Sequence, residues 1–407
     1  MDNEYGSIID PYKQNLTPLG IKGTRLCNKE TNEMLSIGPS SDLYVFVPRL
    51  KAHKIIVPNT FCITFDLLLS GDASNTIVNN VVKSIFKKIK FIIGDKEIFE
   101  LNGLDVYSIF KDLFLSKLDR ENMIYEGIQD DKLRKLRISP QTKPPETDST
   151  AVAISKIFKN RYRYYFDIDF FKVPICPYLI EQKMRIELEL NDVSRIIKTN
   201  TTKDWDYKLD NIKVEFETFS NETVISTIED KYQYQFTFYN YDISLSEKPK
   251  LKESDTTFNI KVKVYRKNLC GILLLFKQSF TDGAYDSEHF VNPKITKADI
   301  KINNDSAFIY NSSMTALDQY DEILRFFNSK NPSVSFTDFY AGNKFGFFLD
   351  TRSNADNSLH GSGLETDDLM IEFQKENTGS GELDMYVYLI AHSHFTIENY
   401  KPTSLVK

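Results

Sequence analysis

Two stretches of strand-type alternation, each broken by one amphipathic helix, follow one another in this chain, and that order restricts the fold more than any other feature. The first helix is expected over 105–118, where Val106, Ile109, Phe110 and Leu113 recur at three- and four-residue spacing and make one apolar stripe. The second is expected over 315–328, with Leu317, Tyr320, Leu324 and Phe327 facing the core. It ends before Asn331-Pro332, because the residue ahead of a proline is held out of the helical region. Each half then closes on an alternating strand. In 184–190, Met184, Ile186, Leu188 and Leu190 face one way and Arg185, Glu187 and Glu189 the other, and 384–390 is its expected counterpart. One apolar and one polar face is the signature of an antiparallel sheet packed on a single side.

Further strands are expected at 61–69, 162–171, 212–217, 232–238, 258–264, 345–350, 369–373 and 385–397, with the buried run 272–276 as hairpin partner of 258–264. Residues 81–99 read as a hairpin turning at Gly94-Asp95. Residues 1–50 carry turn formers and little periodicity, which suggests an arm with edge strands. The stretch 127–160, proline-rich over 140–149, reads as a surface loop. The polar, turn-rich 198–204 is the expected domain boundary, dividing the chain into 1–50, 51–200 and 201–407. No β-α-β-α rhythm supports a parallel sheet, and corresponding landmarks lie about 200 residues apart, far beyond any solenoid period. An all-β chain of two like sandwiches or barrels fits best.

The 407 residues suffice for two domains, each with its own core. The 30 Phe and 22 Tyr suit pleated, half-buried surfaces. A net charge of −6 argues against a dedicated nucleic-acid binder, which would be basic. Cys27, Cys62, Cys176 and Cys270 are scattered without a CxxC pair, so neither a zinc site nor a disulfide framework is indicated, and a reducing compartment is expected. The acidic start at Met1 shows no secretory pattern, and apolar runs such as 270–276 are too short to span a bilayer. The sequons at Asn221 and Asn311 are then coincidental, and the protein is expected in the cytosol or nucleus.

Each candidate for chemistry has a plainer explanation beside it. His392 and His394 sit at strand spacing on one face, yet no third metal ligand stands at a diagnostic distance in sequence. Asp167 and Asp169 could serve as paired carboxylates in glycosidic hydrolysis, but a solvated polar face accounts for them more simply. Lys83, Lys87, Lys88 and Lys90 form a basic cluster that could meet phosphate or merely face solvent. The stretches 361–363 and 379–381 (Gly-Ser-Gly) lack the lysine and following helix of a phosphate loop. No nucleophile elbow surrounds a Ser or Cys. The chain is therefore expected not to be an enzyme, with no catalytic, cofactor-binding or metal-binding residue and no cofactor.

Four stretches in order resemble a known family: 44–50 through 65–67; 165–171 through Pro174 to 184–191; 320–332 with 336–339 and 347–350; and the closing strands before 404–406. Together they resemble the hexon-like double jelly-roll major capsid proteins of Polinton/Maverick elements and adintoviruses. The resemblance implies two eight-stranded jelly rolls side by side, each with one helix, and a homotrimeric pseudo-hexagonal capsomer tiling an icosahedral shell around double-stranded DNA. It implies copies of the chain as the main partners, together with penton and minor capsid proteins, and no specific nucleic-acid site. It places the protein in the virion after synthesis in the host cytoplasm. The chain departs from the family in being short, so outer loops are expected to be brief, and 1–50 is the candidate for contacts between capsomers. Two other readings stay open: an internal assembly scaffold of the poxvirus type, and a carbohydrate-binding or glycan-processing β-sandwich suggested by the aromatic content and Asp167/Asp169.

Overall fold

The computed structural model describes residues 24–28, 36–50, 54–70, 76–128, 161–198, 206–265, 268–278, 285–302, 305–306, 315–351 and 365–406. Among the described residues, eight strands form the two main sheet paths of the first half: β1 (Thr24–Asn28), β2 (Asp42–Phe46), β3 (Cys62–Ser70), β4 (Phe86–Ile93), β5 (Lys96–Asn102), β6 (Arg161–Tyr165), β7 (Met184–Leu190) and β8 (Asp206–Phe219); four two-residue strands, Ser36–Ile37, Ile55–Ile56, Thr76–Ile77 and Ile197–Lys198, lie beside them. Eight more form the main paths of the second: β9 (Phe236–Glu247), β10 (Thr257–Tyr265), β11 (Leu269–Gln278), β12 (Ile295–Ile302), β13 (Asp305–Ser306), β14 (Gly346–Asp350), β15 (Glu365–Lys375) and β16 (Glu382–Glu398), with Lys250–Lys252 and Lys401–Val406 as additional strands on β16. The first half pairs them as β1-β8-β3-β6 and β2-β7-β4-β5, and the second as β9-β16-β11-β14 and β10-β15-β12-β13. Adding eight to the label of each main-path strand of the first half reproduces the order in the second, while the short additional strands differ between the halves. This order, two Greek keys wound into facing sheets, is the jelly roll.

Side-chain alternation explains why the sheets stack. In β7 the residues Met184, Ile186, Leu188 and Leu190 are buried while Arg185 points to solvent, as the period-two pattern requires. The facing sheets close over Phe65, Phe91, Tyr162 and Tyr164 in the first half and over Ile272, Leu274, Phe347 and Ile371 in the second. The hairpin between β4 and β5 turns at Gly94, whose φ of +66° lies in the left-handed region that favours glycine.

Five helices matter here: α1 (Val81–Ile85), α2 (Leu104–Leu113), α3 (Glu222–Tyr234), α4 (Ala316–Phe326) and α5 (Phe336–Ala341). Helix α2 buries the whole predicted stripe, Val106, Ile109, Phe110 and Leu113. Helix α4 starts at a capping box made by Thr315 and Asp318. Its buried positions are Gln319 and Ile323, whereas Leu317, expected in the core, is 58% exposed. The helix is thus rotated from the predicted face, with Tyr320 and Leu324 only partly covered.

Several expectations are corrected. The strand expected to open the second half at 212–217 lies in β8, which pairs with β1 and β3 of the first half. The boundary therefore falls after Phe219, not at 198–204, and β8, not β7, is the counterpart of β16. Within 1–50, β1 and β2 are edge strands of the first jelly roll, while 1–23 and 29–35 lie outside the described residues. The 81–99 stretch opens with α1 before its hairpin. Strand signal at 162–171 ends at Tyr165 and gives way to a short 3-10 turn over Asp169–Lys172. Residues 232–234 belong to α3. The run 272–276 lies in β11 and pairs with β14 and β16, in the sheet opposite β10.

Candidate functional site: the seam between the two halves

The polar and aromatic side chains that join one jelly roll to the other form the most elaborate site on the described residues. Helix α2 leaves β5 at Gly103 and crosses onto the outer face of the β9-β16-β11-β14 sheet. Tyr388 of β16 donates a hydrogen bond to the Gly103 carbonyl at 2.7 Å, and its ring lies 5.6 Å from Tyr107 of α2. Gly346 is glycine because α2 comes so close: a Cβ there would sit 2.3 Å from the Phe110 ring. The Phe110 ring meets Phe290 at 5.1 Å and Phe327 at 6.1 Å, and Phe114 continues the cluster to Phe327 at 5.5 Å. Beyond the helix end, the Ser333 amide donates to the Leu115 carbonyl at 2.7 Å and its hydroxyl to the Leu113 carbonyl at 2.8 Å.

Charged groups are folded into the same seam. Arg120 of the first half meets Glu288 of the second at 2.7 Å, with side chains 12% and 11% exposed. Asn79 donates to the same carboxylate at 3.1 Å, and Lys344 stands 3.7 Å from its other oxygen. A carboxylate so far from water needs this full set of donors. Nearby, Arg195 donates to the Tyr386 hydroxyl at 3.3 Å and lies 4.8 Å over the Tyr285 ring.

Lys277, buried at the end of β11, donates to the Ser287 carbonyl at 2.7 Å and faces the rings of Phe290 and Tyr285 at 4.4 and 4.9 Å. Burial, reinforced by the Arg195 and Lys344 cations and opposed by Asp105 and Asp286, pushes its ammonium down to about 7 from 10.5. A lysine with a depressed folded value binds fewer protons folded than unfolded between those two values, so this group adds stability as pH rises from about 7 toward 10.5. The melting temperature of the wild type is expected to respond to this change between pH 7 and 9.5, and Lys277→Met to remove that component. Thermal scans of both chains at matched ionic strength check it; identical pH profiles would contradict it.

The aromatic cluster extends along the junction. Phe170 meets Phe238 and Phe395 at 5.2 and 5.9 Å. Beside it the Asp169 carboxylate accepts from the Tyr241 amide at 2.8 Å, covering the open edge of β9. Asp169 also pairs with Lys172 at 2.7 Å, and Asp167 with Lys172 at 2.8 Å and with Lys111. Partial burial would raise the Asp167 carboxyl, but Lys111 and Lys172 hold it well below the usual carboxylate range. The two aspartates are thus held in ion pairs at the junction.

The remaining sequence candidates are placed as follows. His392 and His394 share one face of β16, opposite Tyr241 and Tyr239 at ring distances of 4.6 and 5.8 Å. Among the described residues no group of three His, Cys, Asp or Glu is placed to hold a metal. The basic cluster is dispersed: Lys87 pairs with Glu189, Lys88 with Glu100, Lys90 with Glu97 and Glu100, and Lys83 is buried on α1 against Glu126. Gly381 donates its amide to Glu253 in a turn, and 361–363 and 140–149 lie outside the described residues. Cys62, Cys176 and Cys270 are buried and not in disulfides, and burial pushes the Cys176 thiol up to about 12. The seam itself escaped sequence reading. The one local signal was the alternation-breaking Lys277 at the end of an apolar strand.

No protein-family model and no curated protein matches the chain. Solved structures do. A chain of the PBCV-1 virus capsid aligns with a TM-score of 0.59 at 10% identity, over 95% of this chain and 97% of that one. A chain from the structure of the Sputnik virophage aligns with a TM-score of 0.61 at 11% identity, over 95% and 88%. The Faustovirus major capsid protein aligns with a TM-score of 0.55 at 8% identity, over 93% and 90%. The PBCV-1 chain is of similar length, so the expectation of a chain short for such proteins is not met there. Likeness at these identities is a likeness of fold. Two jelly rolls repeated strand for strand and joined through one buried seam give this chain the double jelly-roll fold, which it shares with these viral capsid chains.

Proposed function

We propose that this chain is a major capsid protein, a structural subunit and not an enzyme, whose copies associate as homotrimeric capsomers. The observation that carries this reading is the strand-for-strand repeat joined by a buried seam. Two like wedges held in fixed relation make one third of a six-wedge ring, and one heterologous contact used three times closes it. The likeness to a PBCV-1 capsid chain and to the Faustovirus major capsid protein over nine-tenths of the chain supports the same reading. In it, capsomers tile an icosahedral shell around double-stranded DNA, with penton and minor capsid proteins as further partners. The finer assignment to the Polinton/Maverick and adintovirus type rests on the ordered sequence resemblance. The test is the composition of purified mature particles: the protein retained as the most abundant shell component supports the reading, and its loss during maturation would make it a scaffold.

A further inference from the structure

Asn102-Gly103 is the one Asn-Gly pair in the sequence, and it lies where β5 hands over to α2 at the edge of the seam. The fold fixes the glycine. Its φ of +66° lies in the left-handed region, and a Cβ there would stand 2.8 Å from the Tyr388 hydroxyl. Asparagine is a thermolabile residue, and glycine is the least hindered neighbour for it, because no side chain shields the following main-chain nitrogen. The structure leaves both reacting groups available. Asn102 is exposed, and among the described residues its carboxamide makes no hydrogen bond and the Gly103 amide donates to no acceptor. Asn328-Ser329 is the opposite case, since Ser329 donates its amide to the Leu324 carbonyl at 2.9 Å.

We propose that Asn102 is a site of spontaneous covalent modification, converting to isoaspartate and aspartate, and that the isoaspartate loosens the seam from within the chain. The Gly103 nitrogen bonds to the side-chain carbonyl carbon of Asn102, the bond from that carbon to the amide nitrogen breaks, and ammonia leaves. A cyclic imide remains, and water opens it at one carbonyl or the other. Overall one water is consumed and one ammonia released, with no oxidant, reductant or enzyme. Opening at the former side-chain carbonyl gives ordinary aspartate. Opening at the former main-chain carbonyl routes the chain through the side chain and adds a methylene to it.

The two products differ in what they do to the seam. Aspartate keeps the main chain as it was and sets its carboxylate opposite Lys88, the register partner of residue 102 on β4. Isoaspartate displaces Gly103, whose carbonyl accepts from the Tyr388 hydroxyl at 2.7 Å and from the Tyr107 amide at 3.2 Å. Those two bonds fix where α2 starts and how it meets β16, so the added methylene moves the helix against the sheet that it crosses. The modification depends on local chemistry alone and stands apart from the capsomer reading.

The test incubates the full-length chain in mildly alkaline buffer, folded or in urea, and follows the tryptic peptide 97–111, in which Asn102 is the only asparagine, by mass spectrometry. A strand end opens at little cost, so the folded chain is expected to convert within about tenfold of the rate in urea. Resistance to an aspartate-directed protease separates isoaspartate from aspartate. The peptide 326–330, with Asn328, should stay unchanged in the folded chain. The converted chain should melt below fresh protein. Asn102→Asp, which carries the charge without the methylene, should melt with the wild type, and Asn102→Gln should neither convert nor shift on the same incubation. Conversion slower than tenfold below the urea rate overturns the site. A converted chain that melts with fresh protein, or Asn102→Asp melting as low as the converted chain, overturns the main-chain effect on the seam.

Discussion

Phe110→Ala is expected to destabilise the chain by about 3–5 kcal/mol, the usual cost of emptying a buried phenylalanine site. Phe110 is fully buried and touches Phe114 of its own segment and Phe290 and Phe327 of the other half. Its loss leaves a void at the one place where α2 lies against Gly346, which has no side chain to fill it. The effect should fall on the joint as well as on overall stability. Chemical denaturation of the variant should separate into two transitions, and limited proteolysis should cut between Phe219 and Phe236 faster than in the wild type. A loss under about 1 kcal/mol with a single unchanged transition would show that α2 does not hold the halves together.

Glu288→Ala is expected to cost a similar amount, about 3–5 kcal/mol, for a different reason. The carboxylate is the shared acceptor for Arg120 and Asn79 and the counter-charge for Lys344. Removing it takes the counter-charge from Arg120, which keeps only the Asp112 carbonyl at 2.9 Å, and from Lys344, which keeps the main-chain carbonyl of residue 288 at 2.7 Å, and the penalty for buried charge without its counter-ion exceeds the value of the pair itself. The double variant Arg120→Met/Glu288→Leu should therefore recover part of the loss. Denaturation of the two single variants and the double variant gives the coupling directly. Strict additivity would mean that Arg120 and Glu288 do not depend on one another.

How far such features were legible beforehand follows from what a sequence pattern encodes. Alternation reports which way side chains point, so β7 was readable to the residue, and so was the turn at Gly94. Alternation does not report which strand is the neighbour. That is why β8, a clean alternating strand after a polar linker, reads as part of the second sandwich although it pairs in the first, and why β10 and β11 read as a hairpin although they lie in facing sheets. The helix α3 was also missed, although Asn221 caps it and Val224, Ile228 and Tyr232 stand at helical spacing on its buried face. The alternation from Tyr232 onward hides its last turn, because it fits a strand as well. In α4 the acidic and apolar residues gave the helix but not its rotation, since Phe327 and Leu324 compete with Ile323 for the core and only packing decides.

The seam was the least legible part. Arg120 and Glu288 are 168 residues apart, and nothing local marks either as one member of a buried pair. Asp167 and Asp169 resemble a catalytic pair in sequence because they share a short motif. Their actual work, pairing with lysines and covering the edge of β9, depends on partners from Lys111 to Tyr241. The duplicated halves, by contrast, are visible in the sequence through the two amphipathic stretches at α2 and α4, although each half carries further short helices that the pattern does not announce.

The central claim is that the repeat exists to be assembled. Electron micrographs of the purified, full-length chain, taken together with its mass in solution, test that most directly. The account predicts hexagonal particles with three-fold symmetry and a mass three times that of the 47.2 kDa chain. Compact single particles of one chain mass, unchanged at every concentration and salt tried, would contradict it.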